Sequence, residues 1–367
     1  MPYLLDTLHK VETTADAGAY LQRLDAFARG LDGETERLQR DANLGVIAPD
    51  FLLDTTLKQQ TAYAAVAVAD WGFVSSLARR TREHSLPGDW EMRARKICET
   101  TVAPALARQI ETLRALRAKA TSAAGVGRLP DGEAYYRWAL QVGTTTMQTP
   151  EQVHALGLEQ VDAISATMDR LLREQGLSSG TVGQRMSALS SDPRFLFPND
   201  QGGRAQLLAY LNGVIADMRS RLPRAFATLK KADLVIKRVP PSIEADAPDG
   251  YEENGPIDGN APAIYYINLR DTANWPKFSL PTLCFHGNPV DSATGEIDRY
   301  CAWPGQACGY QIGHLQIDAL RRRARAALRH GFDLRSFDDA LLSSGSMPLD
   351  LLREVMERYM QARGLVP

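Results

Sequence analysis

Few local patterns leave a chain less choice than Thr149-Pro150-Glu151-Gln152. A threonine at the N-cap accepts from the backbone N–H three residues on, a glutamine at that third position reaches back, and proline at the first helical position already has the φ a helix needs. Behind it, Val153, Leu156, Val161, Ile164, Met168 and Leu171 recur at helical spacing. The spacing predicts a long amphipathic helix from 150.

The same period runs through most of the chain. Leu21, Leu24, Ala28 and Leu31 mark one helix, the Ala-rich run from Phe51 to His84 reads as helix throughout, and Trp90 to Lys119 carries an apolar stripe with a kink expected at Pro104. Gly125 to Gly132 is a Gly/Pro loop ahead of a short helix over 131–146. The pattern changes at Leu234–Val239 and Ala263–Leu269, two short β-branched and aromatic runs bounded by Pro, Asp and Gly, which read as strands. Pro240 to Pro262 is too rich in Pro, Asp, Glu and Gly for a regular element and reads as an exposed excursion. Helix returns after Pro289, is broken at Pro304-Gly305, and ends in an amphipathic stretch through Leu352, Val355, Met356, Tyr359 and Met360. The expected fold is mainly α, a multi-helical body with a small antiparallel β element around 234–239 and 263–269. Residues 1–230 form a helical lobe, 231–290 the small sheet and its exit, and 291–367 the carboxy-terminal helices, all in one continuous structural unit.

Composition removes several function classes. Of 367 residues, 44% are hydrophobic and 23% charged, an ordinary globular balance. A formal net charge of -2 and a pI of about 6.3 offer no field for a phosphate backbone, so no nucleic-acid partner is expected. No stretch reaches the ~18 apolar residues of a membrane span, and Met1 to Lys10 has neither a basic nor an apolar signal region. As written, the chain is expected in the cytoplasm. Its four cysteines, Cys98, Cys284, Cys301 and Cys308, form no C-x-x-C pair and read as buried thiols.

The common catalytic motifs G-x-S-x-G, G-x-x-x-x-G-K-[ST] and H-E-x-x-H are missing. None of the six histidines lies three or four residues from another, the spacing that sets two imidazoles on one helical face for zinc. Arg321 to Arg325 has an apolar opposite face and reads as a solvated basic surface. Tyr135-Tyr136-Arg137-Trp138, on an Ala-rich helix, reads as aromatic packing.

One segment resists a purely structural account. Glu296 to Ala307 (Glu-Ile-Asp-Arg-Tyr-Cys-Ala-Trp-Pro-Gly-Gln-Ala) gathers two acids, an arginine, large aromatics, a Pro-Gly break and a glutamine. A Pro-Gly break in a helix loses backbone bonds and helical entropy. Two readings are evenly matched: a functional site, or a helix elbow held by Asp298 or Glu296 against Arg299.

These residues, continued by Tyr310-Gln311-Ile312-Gly313, resemble the carboxy-terminal signature of the bacterial family called domain of unknown function 885, a helical metallopeptidase-like family. Leu129 to Tyr136, Thr149-Pro150-Glu151 with Leu156-Gly157-Leu158, Tyr265 to Leu269, Leu280 to Leu283, Phe332 to Arg335 and Met347-Pro348-Leu349 resemble further family segments. The resemblance implies an edge strand at Tyr265 to Leu269 that recognises peptides, with Tyr265, Tyr266, Asn268 and Gln306 binding substrate. It implies Arg299 on a substrate carboxylate and Tyr310 on an oxyanion as catalytic groups. It also implies a zinc centre of the form His-Glu-x-x-x-Gly-His-His after the Leu-Pro-Thr-Leu run.

Here that run reads Phe285-His286-Gly287-Asn288-Pro289-Val290-Asp291. His286 is the remnant of the metal ligands, and Gly287 stands where the resemblance places the general base. Catalytic zinc takes three protein ligands, and peptide hydrolysis needs a carboxylate to accept the water's proton. The expectation is therefore a degenerate member, shortened at its amino terminus and lacking the segment around the zinc motif, with no cofactor although intact relatives take zinc. It binds a peptide or peptide-like small molecule without turning it over. The alternative is a zinc-dependent peptidase or amide hydrolase with a rearranged metal site, drawing on Asp291, Glu296 or His314.

Overall fold

The computed structural model describes residues 5, 9–229, 233–240, 244, 250–255, 262–280 and 297–363. The chain divides into two compact units, Met1–Glu133 and Ala134–Pro367. Mainly α is the correct class, with one small three-stranded sheet among the described residues. No helix among those residues is long and apolar enough to cross a membrane.

The first unit holds α1 (Thr14–Asn43), α2 (Asp50–Ala65), α3 (Gly72–Glu83), α4 (Trp90–Ile97) and α5 (Ala103–Arg117). A capping box starts α1: Asp16 N donates to Thr13 Oγ1 at 3.1 Å and Thr13 N to Asp16 Oδ2 at 2.9 Å. Its buried face, Ala17, Tyr20, Leu21, Leu24, Ala28 and Leu31, follows the helical period. That face meets Trp71, Phe73, Leu77, Cys98 and Val102. Each fully buried leucine there contributes roughly 1.5–3 kcal/mol, enough to decide which face turns inward.

The run from Phe51 to His84 is not one helix. It breaks at 66–71, where buried Trp71 fills the gap and its indole N–H donates to Val66 O at 3.0 Å. The kink expected at Pro104 appears one turn earlier as a π turn, Cys98–Val102, directly before α5.

The second unit holds α6 (Gly132–Thr144) from Ala134 on, α7 (Pro150–Glu174), α8 (Val182–Ser190) and α9 (Gln201–Arg221). Strands β1 (Leu234–Arg238), β2 (Gly250–Glu253) and β3 (Ala263–Ile267) follow, then α10 (Cys308–Leu328), α11 (Leu334–Ser343) and α12 (Leu349–Gln361). The capping box of α7 forms as the sequence predicts, with Gln152 N donating to Thr149 Oγ1 at 3.3 Å and Thr149 N to Gln152 Oε1 at 2.9 Å. Its apolar face behaves differently: Leu172 is the one buried residue of the helix.

The two strands read from sequence are neighbours, but parallel rather than antiparallel, with Leu234 opposite Ala263 and Arg238 opposite Ile267. Strand period carries no direction, and the connection from Val239 to Pro262 exceeds the dozen residues a parallel crossover needs. That connection is also not wholly irregular. It contains β2, which pairs antiparallel with the far side of β3, Gly250 opposite Ile267. Gly250 permits this because a Cβ there would collide with the Tyr265 ring, and Tyr251 stacks on Tyr266 at 5.0 Å between ring centroids. Ile267, Leu269, Trp275 and Leu280 pack against Phe197, Leu207 and Leu211. A separate core joins Leu320, Ala324 and Leu328 of α10 to Phe337, Leu352, Met356 and Tyr359.

Candidate functional site

The Pro-Gly break has a steric reason. Gly305 sits at φ 80°, a conformation costly for any residue with a Cβ, and a Cβ there would stand 2.7 Å from Leu140 N. A Cβ on Gly143 would stand 2.6 Å from Gly305 O and 3.1 Å from the Gln306 Cα, and one on Gly309 would fall inside contact distance of Gly143 O. Three glycines thus let the turn at 304–309 lie backbone against backbone on the end of α6.

That turn carries a hydrogen-bonded relay. Residues 297–302 are helical, and the Arg299 carbonyl accepts from Trp303 N at 2.8 Å. The Arg299 guanidinium lies over the Tyr300 ring, 4.9 Å from its centroid, and donates through Nη1 to Gln306 Oε1 at 2.6 Å. Gln306 Nε2 donates to Tyr310 Oη at 3.1 Å. Gln306 therefore spends its acceptor on the cation and its donor on the phenol, which fixes both ends of the amide. Tyr300, Trp303 and Tyr310 are exposed. A half-buried guanidinium oriented by an amide and a ring, beside exposed aromatics, is suited to a carboxylate on an apolar or aromatic molecule.

Arg299, Gln306 and Tyr310 are thus brought together. Tyr265, Tyr266 and Asn268 form a second group with other commitments. β3 is the central strand, not an edge, since β1 and β2 pair with it from both sides, so its backbone is not open to an added peptide strand. Tyr266 is buried under Tyr251, and half-buried Tyr265 packs over Gly250. Asn268 donates from Nδ2 to Glu244 O at 2.7 Å and accepts from Arg270 N at 3.0 Å.

Glu244, in the segment read as irregular, is the residue that sequence reasoning missed. Its buried carboxylate takes a two-pronged bond from Arg238, at 2.6 and 2.7 Å, and a third from Leu269 N at 3.2 Å. The Arg238 guanidinium holds its carboxyl below the usual range, with burial opposing and the Leu269 N–H assisting. No spacing rule signals it, because the pair is assembled only when the sheet forms.

His286, Gly287 and Glu296 lie outside the described residues. Among the described residues, no three His, Cys, Asp or Glu side chains converge as a metal would require. Two readings of single residues are corrected. Tyr135 and Trp138 are not packed away but 45% and 57% exposed. Of the described cysteines only Cys98 is buried, while Cys301 and Cys308 are half-buried.

The profile of a family described as "Bacterial protein of unknown function (DUF885)" matches residues 1–289 and 287–356. The crystal structure of the putative lipoprotein from Colwellia psychrerythraea superposes with a TM-score of 0.93 at 25% identity, covering 98% of this chain and 79% of that one. Among the curated proteins no match is found.

Proposed function

From the premise that this chain belongs to the bacterial DUF885 family, we propose that it binds peptides or peptide-like acids without hydrolysing them. The observation that carries this reading is the Arg299–Gln306–Tyr310 relay, a cation and a phenol held in mutual register on an exposed aromatic turn. The guanidinium's charge attracts the ligand's carboxylate, while Tyr300, Trp303 and Tyr310 cover its apolar or aromatic side chain. Gly287 in place of a carboxylate supports binding without turnover, since that position has no group to take a proton from water.

The test is calorimetric titration with short peptides bearing a free or an amidated carboxy terminus, with mass spectrometry of the same mixtures. The expected result is saturable binding of the free acids, weakened about tenfold (~1.4 kcal/mol) by amidation or by Arg299→Ala, and no cleavage. Binding indifferent to both changes, or none, overturns the proposal. Cleavage abolished by a chelator establishes the zinc-dependent alternative instead. We extend export to this chain from the Colwellia protein, described as a "putative lipoprotein". Fractionation of cells expressing the full gene tests it, and recovery in the cytosol refutes it.

A further inference from the structure

We propose that the Glu253 carboxylate, at the end of β2, is a binding site for a primary ammonium group, carried by a free amine or by the amino terminus of a peptide. Glu253 is half-buried, both of its carboxylate oxygens are closed off from water, and neither has a hydrogen-bond partner. No ion pair reaches it from the described residues either. A carboxylate shut away from water without donors is among the most costly groups a fold can hold. Such a group in a native chain calls for an ion, a water or a ligand that supplies them.

The sheet explains why the strands supply no donor. Side chains alternate along a strand, so Glu253 and Tyr251 share one face of β2, and the register sets them beside Ile264 and Tyr266 of β3. Val235 and Lys237 of β1 continue that face, while Ile236, Tyr265 and Ile267 turn the other way into the core. Lys237 is the one cation that the strands place on the Glu253 face. It is exposed, and because β3 lies between, two strand spacings, roughly 9.5 Å, separate its strand from β2. Arg238, on the opposite face, is committed to Glu244.

The unmet chemistry selects the ligand. Two oxygens with unused lone pairs need N–H or O–H donors, and their charge needs a positive partner. A primary ammonium brings three donors and the charge together, whereas a quaternary ammonium brings the charge alone. A divalent cation gathers several oxygen ligands, and among the described residues no three His, Cys, Asp or Glu side chains converge. The stacked Tyr251 and Tyr266 rings, 5.0 Å apart between centroids, stand two residues along the ladder from Glu253. With Ile264 they offer the carbon chain of an amine apolar surface, and the cation π-electron density. The site takes the charge opposite to that taken by Arg299, and stands independently of it.

Urea unfolding in amine-free phosphate buffer compares the full chain with Glu253→Gln, an exchange of nearly equal shape. Without amine, Glu253→Gln is expected to raise the midpoint by about 0.5 M, because the uncompensated charge is gone. Saturating n-butylammonium chloride raises the wild-type midpoint and leaves that of Glu253→Gln in place, while tetramethylammonium chloride at the same concentration moves neither. Calorimetric titration with butylammonium, and with alanyl-phenylalanine amide against its N-acetylated form, tells a free amine from the amino terminus of a peptide. Saturable binding of either, lost in Glu253→Gln, supports the proposal. These probes carry no carboxylate, so their failure leaves the Arg299 reading untouched. A Glu253→Gln midpoint at or below that of wild type overturns the proposal, as does a tetramethylammonium shift equal to that of butylammonium. A carboxylate answered by a buried water gives no amine-dependent shift, and that result overturns it too.

Discussion

Two glycines four residues apart on α10 respond to alanine with opposite signs, because only one of them lies at the backbone crossing. Gly313 has nothing within 4 Å of its would-be Cβ, so Gly313→Ala gains helix propensity alone, about 0.5–1 kcal/mol. Gly309 gains less from propensity because it lies in the first turn of α10. Its Cβ would fall inside contact distance of Gly143 O, with the Gly143 carbonyl carbon at 3.3 Å. Neither atom can rotate away, since both are main chain. Forcing extra volume into such a contact costs about 1–3 kcal/mol, leaving Gly309→Ala destabilised by about 1–2 kcal/mol. The variants should therefore differ by about 1.5–3 kcal/mol. With a urea slope of ~1–3 kcal/mol per molar, their midpoints separate by about 0.5 M or more, Gly313→Ala above wild type and Gly309→Ala below. Equilibrium urea unfolding followed by circular dichroism measures both. Two variants that stabilise alike would refute the crossing.

Glu244→Gln is expected to destabilise the chain by about 1 kcal/mol at neutral pH, discounted because Arg238 is 37% exposed. The Glu244 carboxyl is depressed in the folded state, so its contribution is complete above the ordinary glutamate value of 4.5 and is lost as pH falls through the lower folded value. Urea midpoints of the two proteins therefore converge in acid; a constant gap would contradict the pairing. Burial pushes the Cys98 thiol up to about 12, so at about pH 8 Cys98→Ala removes no fast-reacting thiol from the native chain, whereas Cys301→Ala does. Ellman's reagent reads the difference, which vanishes on unfolding. Thr149→Ala lowers local stability at the start of α7 by about 1 kcal/mol while Thr149→Ser retains most of it, as amide exchange near Val153 would report.

What could be read in the sequence was local. The start of α7 was legible because Thr149, Pro150 and Gln152 satisfy one another within four residues. The existence of β1 and β3 was legible for the same reason. Their direction was not, because alternation says which residues share a face and nothing about which way a neighbour runs. β2 was missed because Gly250, Glu252 and Glu253 are poor strand formers, and Gly250 and Tyr251 gain their place only from Tyr265 and Tyr266 across the ladder. Tyr135 and Trp138 were misjudged for the converse reason. Aromatic side chains on a helix predict packing only if another element arrives to cover them, and the described residues bring none over Trp138.

The segment 296–307 was divided between a structural elbow and a site, and the two readings are compatible. Gly143, Gly305 and Gly309 serve the backbone crossing, and nothing in their chemistry could touch a ligand. Their effect is nevertheless to seat the Gln306 Cα against α6, where a Cβ on Gly143 would come within 3.1 Å. Gln306 is the residue whose two amide ends hold Arg299 and Tyr310. A shift of a few tenths of an ångström at the crossing passes directly into a relay whose bonds are 2.6 and 3.1 Å long. Relays of this kind hold their geometry only when the supporting shell is rigid. The elbow is therefore the support of the candidate site: the Pro-Gly break places Gln306, and Gln306 holds Arg299.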